Sequence, residues 1–210
     1  MALSLAAALA LATQCAPTVA PETLLSVAQV ESRFEPLAIG VNGAPRIMVA
    51  PTSVDDAVAK AGALIAAGRS IDLGLAQINS KNLSWLGLSL PEVFEPCTNL
   101  RAAARILQDG YLRGDAARVG EQAALKTAFS YYNTGDPVRG FSNGYVGKVA
   151  TAAGRIVPAI GGASLANLSE AAPGAPPETS PPAWDVFGDV HRGRGSFVTT
   201  VSITASGGLQ

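Results

Sequence analysis

The sequence predicts a mainly helical α+β domain with one small β-hairpin, followed by a proline-rich tail. Three features carry that expectation. Apolar residues recur at three- and four-residue spacing in several alanine-rich stretches, β-prone residues flank Asn42-Gly43, and from about Gly161 the periodicity stops while proline accumulates. The 210 residues suffice for one domain with a core and some sequence outside it. The expected division is a folded domain over residues 1–160 and a Pro/Gly/Ala-rich linker with a disordered tail over 161–210.

The elements follow in order. In "MALSLAAALALATQC", Leu5, Leu9 and Ala12 are spaced as one helix face, while the short apolar run and Ala10-Leu11-Ala12 also fit a signal peptide that lacks its basic start. A helix of the mature domain is the favoured of these two readings. From Pro21 to Phe34, a first-turn proline and Glu22 open a helix whose face is Leu24, Val27, Ala28, Glu31 and Phe34. Residues 38–49 read as the hairpin. Ser53 and Asp56 form a capping pair ahead of Val54, Val58, Ala61 and Ile65, in a helix ending near Gly68. Three further helices are marked by Leu100, Ala103, Leu107 and Tyr111, by Leu125, Ala128 and Tyr132, and by Tyr145, Val149, Ala153 and Ile156. In the tail, "SFVTTVSITAS" has strand-forming residues but no evident partner, and Trp184, Val186 and Phe187 form an apolar cluster of the kind that folds onto a partner or onto its own domain.

Composition removes several chemistries. The formal net charge of −1 gives no basic excess for nucleic acid or anionic lipid. The one histidine, His191, lies in the tail, so a histidine-based triad in the folded part is nearly excluded, and two cysteines with one histidine make a poor zinc set. Acid–base work falls to Asp, Glu, Lys or Tyr. Cys15 and Cys97 allow a single intramolecular pairing, a disulfide if the protein is exported and two buried thiols if it is not. No apolar stretch is long enough for a clear membrane span.

Glu31 is the anomaly, a carboxylate on an apolar helix face. Its helical neighbours are Val27, Ala28, Phe34 and Glu35, none of them cationic. A desolvated glutamate without a cation keeps its proton to higher pH, as a general acid near neutrality must. The competing reading is a structural ion pair with an arginine from another helix, such as Arg101 or Arg105. Two other stretches bear on the choice. "DLGLAQIN" (72–79) sets Gly74, Gln77 and Asn79 among apolar residues, and "SYYNTGD" (130–136) places Tyr132 and Asn133 at a helix end with Gly135 suited to a left-handed cap.

The order Glu31-Ser32, then Gly74-Leu75-x-Gln77-Ile78-Asn79, then Tyr132-Asn133-x-Gly135 resembles the lysozyme-like lytic transglycosylases of bacterial peptidoglycan. More narrowly, residues 15–43, 72–88, "PCTNLRAAARIL" (96–107), "YYNTGD" and "GFSNGYVGKV" (140–149) resemble the transglycosylase subunit of Vir-type type IV secretion systems. The likeness covers about residues 5–160, and "AWDVFGDV" (183–190) continues it weakly. Two positions depart from it: Ala76 stands where methionine is frequent, a change expected to reshape a sugar subsite, and Tyr131 stands where alanine is frequent, a change expected to alter packing only.

The resemblance implies a lysozyme-like fold and Glu31 as the acid that protonates the bond between N-acetylmuramic acid and N-acetylglucosamine. The substrate's N-acetyl oxygen would capture the oxocarbenium-like centre. Glu31 would then take the muramoyl 6-hydroxyl proton, and a 1,6-anhydro ring would close without water. Ser32, Gln77 and Asn79 would hydrogen-bond the sugar, Tyr132 would orient the glutamate or the acetamido group, and Asn133 would hold its loop. No metal or cofactor is implied. Partners would be peptidoglycan glycan strands and, through the tail, secretion subunits, in the periplasm. In that compartment the Cys15–Cys97 bridge is favoured and would stabilise the fold by about 4 kcal/mol. Asp72 occupies the place of the second carboxylate of animal-type lysozymes, so a hydrolytic muramidase using Glu31 and Asp72 is the runner-up, with Asp72 weighted as accessory. A weakly active peptidoglycan-binding component of the secretion machine is a third reading.

Overall fold

A computed structural model describes residues 1–43 and 45–166, the last five as helix backbone. The first six residues of the expected linker belong to a helix, and the rest of it, the Trp184 cluster, His191 and the candidate strand near the C-terminus lie outside the described residues. Helices α1 (Leu5–Cys15) and α2 (Pro21–Glu31) lead into strands β1 (Ile39–Val41) and β2 (Ile47–Val49), then α3 (Val54–Ala66), β3 (Ile71–Leu73) and β4 (Ile78–Asn79). Next come two short helices, α4 (Leu83–Leu86) and α5 (Leu90–Val93), and the long α6 (Pro96–Arg113). The chain closes with α7 (Ala116–Val119), α8 (Glu121–Thr134), α9 (Arg139–Ser142) and α10 (Tyr145–Ala166). This is the mainly helical α+β body that the sequence predicts. Its last helix runs six residues beyond the expected limit at 160.

The local signals act as expected. Ser4 caps α1 through Ala7 N–H, and Leu5, Leu9 and Ala12 pack on the core, so the N-terminal stretch is a helix of this domain. Ser53 Oγ accepts from Asp56 N–H at 3.1 Å, and Asp56 in turn accepts from Thr52 N–H at 2.9 Å, fixing the start of α3. Gly135 ends α8 at φ 68°, a left-handed cap that costs glycine nothing.

The expected hairpin is β1–β2, with Ile39 opposite Val49 and Val41 opposite Ile47. It is half of a larger sheet. β3 and β4 extend it to four antiparallel strands in the order β2-β1-β3-β4, with Gly40 opposite Asp72 and Asp72 opposite Asn79.

The core lies where α2 packs on α10 and α6 on α8. Leu24, Leu25, Leu100, Leu107 and Leu125 are fully buried, each contributing about 1.5–3 kcal/mol. Gly110 lets α6 approach α8 closely, since a Cβ there would sit 3.1 Å from Ala128 Cα. Cys15 and Cys97 form the disulfide, with Cα atoms 5.4 Å apart, and tie α1 to the start of α6 across 82 residues. Among the described residues no helix is long and apolar enough to cross a membrane.

The periodicity of α2 overstates its length. The expected helix to Phe34 stops at Glu31, and Arg33 and Phe34 follow with positive φ values of 56° and 65°. The exit is held by Ser32, whose hydroxyl donates to Leu75 O at 2.5 Å and accepts from Glu35 N–H at 3.1 Å. Glu31 thus stands on the last helical turn rather than in the middle of a stripe.

Candidate active site

A cleft of about 710 Å³ separates the sheet from α6 and α8. Glu31, Asp72, Gln77 and Asn79 line it on one side, and Tyr131, Tyr132 and Asn133 line it on the other. Of the residues expected at the site, only Ser32 is off this wall, because its hydroxyl is turned to Leu75 O. Its contribution is to fix the chain that leaves Glu31.

Glu31 is partly buried and lines the cleft. Its Oε1 accepts from Tyr145 O–H at 2.5 Å. Neither arginine named as an ion-pair partner reaches it: Arg101 donates to Cys97 Sγ, and Arg105 lies over the Trp85 ring. Loss of water around the carboxyl pushes its pKa from 4.5 up to about 7, against smaller lowering effects of the Tyr145 hydroxyl and of Arg46. Position adds to this in principle, since the carbonyls at a helix C-terminus disfavour a negative charge. The proton that the sequence assigns to this side chain is therefore held near neutral pH.

Asp72, on β3, is arranged differently. Arg46 Nη2 pairs with its Oδ2 at 3.0 Å, and Asn79 Nδ2 donates to its Oδ1 at 2.7 Å. The sheet produces this cluster, because β1 pairs with both β2 and β3 and so places the loop before β2 beside Asp72. Arg46 also donates to Gln77 Oε1 at 3.1 Å. Gly40 leaves room for this cluster: a Cβ there would fall 2.5 Å from the guanidinium and 2.7 Å from Gln77 Oε1, and those side-chain ends would have to shift.

Gln77 adopts φ 53°, an unfavourable conformation for a side chain of its size, and its amide donates to Ala38 O and Gly74 O. Its polar atoms are thus engaged with the protein. Buried Asn99 clamps the same loop from α6, accepting from Ala76 N–H at 2.8 Å and donating to Leu73 O and Val93 O. Asn133 accepts from Asn143 Nδ2 at 2.8 Å, linking the end of α8 to the turn before α10.

The resemblance gives Tyr132 the task of orienting the glutamate or the substrate. Its hydroxyl donates instead to Ala76 O at 2.7 Å, and Tyr145 occupies the place beside Glu31. Burial, with the nearby Glu31 charge, holds both phenols well above their usual pKa, so both remain donors. The two departures from the resembled pattern also exchange roles. Ala76 is fully buried and does not line the cleft, whereas Tyr131 does, with the Arg113 guanidinium 5.8 Å from its ring centre. Loop residue 76 points inward and helix residue 131 points outward. Sequence reasoning misses Tyr145, Arg46 and Asn99 as site residues, although Tyr145 lies on an expected helix face and Asn99 within a matching motif.

Residues 8–153 match the family described as "Transglycosylase SLT domain". The chain is 42% identical to "Protein virB1" of Agrobacterium fabrum over 181 residues, covering 86% of this chain and 70% of that protein. It is 45% identical over 151 residues to "Type IV secretion system protein virB1" of Brucella abortus biovar 1, covering 69% and 63%. A further "Protein virB1", from Rhizobium radiobacter, is 45% identical over 151 residues, covering 71% and 62%. The chain thus spans less than two thirds of the length of the latter two relatives. No solved structure matches it. The family match over most of the chain, the helical body with its small sheet, and a glutamic acid lining the cleft agree: the chain belongs to the SLT transglycosylase family, with that family's lysozyme-like fold.

Proposed function

We propose that the protein is a peptidoglycan lytic transglycosylase that cleaves the β-1,4 bond between N-acetylmuramic acid and N-acetylglucosamine in the periplasm, opening the wall locally for a type IV secretion or conjugation apparatus. The observation that carries the reading is the state of Glu31: at the cleft, with a pKa of about 7 and a phenol rather than a cation on its carboxyl. Such a group donates a proton to the glycosidic oxygen as the bond breaks. The acetamido oxygen of the substrate traps C1, the ionised Glu31 removes the 6-hydroxyl proton, and attack by that oxygen closes the anhydro ring. One carboxyl group serves both steps.

Gln77 and Asn79 shape the sugar-binding wall, and Tyr132 and Asn133 shape its opposite side. Ser32 is assigned to positioning. The hydrolytic alternative is not favoured by the match to the transglycosylase family; Asp72, paired with Arg46 and hydrogen-bonded by Asn79, is assigned an accessory role in the cleft wall. The catalytic domain occupies residues 1–166, to the end of α10, and the linker and tail from 167 to 210 serve contacts with secretion subunits. The weakly active binding component has no separate observation in its favour.

Mass analysis of purified peptidoglycan after digestion tests the proposal. Fragments ending in 1,6-anhydro-muramic acid are expected. Reducing muramic acid ends would instead establish a hydrolase, and no release of fragments would leave only binding.

A further inference from the structure

A second groove, of about 790 Å³, shares no lining residue with the cleft. It runs along one face of α10 and is closed by the end of α2 and the start of α1. Leu5, Val30, Phe34 and Ile156 give it an apolar floor. Arg33, Lys148 and Arg155 stand around that floor, exposed and without an ion-pair partner among the described residues. Three cations around an apolar trough suit an occupant that is both apolar and acidic.

The chain carries such a segment. Between Asn167 and Val190 there are four acidic residues, Glu170, Glu178, Asp185 and Asp189, and no Lys or Arg. Two of the four are interleaved with the apolar residues of "WDVFGDV", residues 184–190. We propose that this groove is the docking site for Trp184–Val190 of the chain's own C-terminal region, with the aromatic and aliphatic side chains on the floor and the aspartates facing the cations.

The connection is long enough. From Ile156 to the end of α10 at Ala166, ten residues of helix rise about 15 Å. The seventeen residues from Asn167 to Ala183 span about 21–25 Å as a flexible coil and up to about 50 Å in polyproline geometry, so the segment reaches back along α10 in either regime. The tether also raises the local concentration of the segment to the millimolar range, so a weak contact suffices for occupancy. The segment assigned above to secretion partners would thus be stored on the domain until a partner displaces it.

Hydrogen exchange of the full chain tests this. In the wild type, peptides covering residues 147–156 should exchange at least about threefold more slowly than in a Trp184→Ala/Phe187→Ala variant, independently of protein concentration. Lys148→Glu/Arg155→Glu should abolish the difference, and adding Asp185→Lys/Asp189→Lys to that variant should restore it. The tail substitutions lie outside the described domain, and rescue by the double reversal separates lost docking from a damaged helix. Identical exchange in the wild type and the tail variant would overturn the proposal. So would protection that grows with concentration, which would assign the groove to a second copy.

Discussion

Two carboxylates face the same cleft, both partly buried, and the protein treats them oppositely. Asp72 is met by a guanidinium at 3.0 Å and an amide at 2.7 Å, so the cost of removing its charge from water is offset locally. Glu31 is met by one phenol, and the attraction of the Arg46 and Lys148 charges is too weak to outweigh desolvation. The first arrangement holds a loop together and the second holds a proton. The two carboxyls share a cleft and differ in what meets them, a cation and an amide at Asp72 and a phenol at Glu31.

The largest expected effect breaks the comparison directly. Glu31→Gln keeps the shape and the hydrogen bond from Tyr145 but cannot donate a proton to the leaving oxygen, so activity should fall about 1,000-fold, within the usual range for a general acid. Asp72→Asn should cost less than about tenfold, through a loosened Arg46. Turnover of peptidoglycan by both variants at pH 6 checks this, and an Asp72→Asn protein as inactive as Glu31→Gln would give Asp72 a chemical role.

Stability gives the next contrast, and its sign is opposite. Between pH 4.5 and about 7 the folded protein keeps the Glu31 proton that the unfolded chain has released, so the wild type loses stability as pH rises through that window. Glutamine does not ionise. Urea unfolding should show Glu31→Gln close to wild type at pH 4 and more stable by on the order of 2–3 kcal/mol at pH 8, a figure reduced below the full linkage value because the side chain is only partly buried. Equal stability at both pH values would mean that water reaches the carboxyl freely.

Much of this arrangement is legible in the sequence, and what is not has a common physical origin. Helices whose apolar residues follow three- and four-residue spacing, a Ser53 cap and the Gly135 terminus are local signals, and they place α3, α6, α8 and α10. The strands β3 and β4 are three and two residues long, too short for alternation to register; β3 forms on the edge of β1, and β4 on the edge of β3. The positive φ values at Arg33, Phe34 and Gln77 fall on residues that do not advertise them. Long-range pairs are the least visible. Tyr145 satisfies the core periodicity of α10 while its hydroxyl meets a carboxyl 114 positions earlier, and Arg46 meets Asp72 only because a sheet assembles between them. Glu31 itself stands out because it violates a local pattern, whereas its partner obeys one.

That partner supplies the finest test. The Tyr145 hydroxyl stabilises the ionised form of Glu31 and so opposes desolvation. Tyr145→Phe removes that opposition without adding a charge, and the pKa of Glu31 should rise further above its present value of about 7. In the wild type, kcat/KM should decline as pH rises through about 7, because the protonated acid is consumed. In Tyr145→Phe the decline should begin at higher pH, while the rate on the acidic plateau falls by no more than about tenfold because the carboxyl is less firmly oriented. A substitution that only disturbed packing would lower the rate at every pH and leave the midpoint where it was. A midpoint that moved down would require the phenol to hold the protonated acid instead, reversing the direction of the hydrogen bond on which the contrast with Asp72 rests.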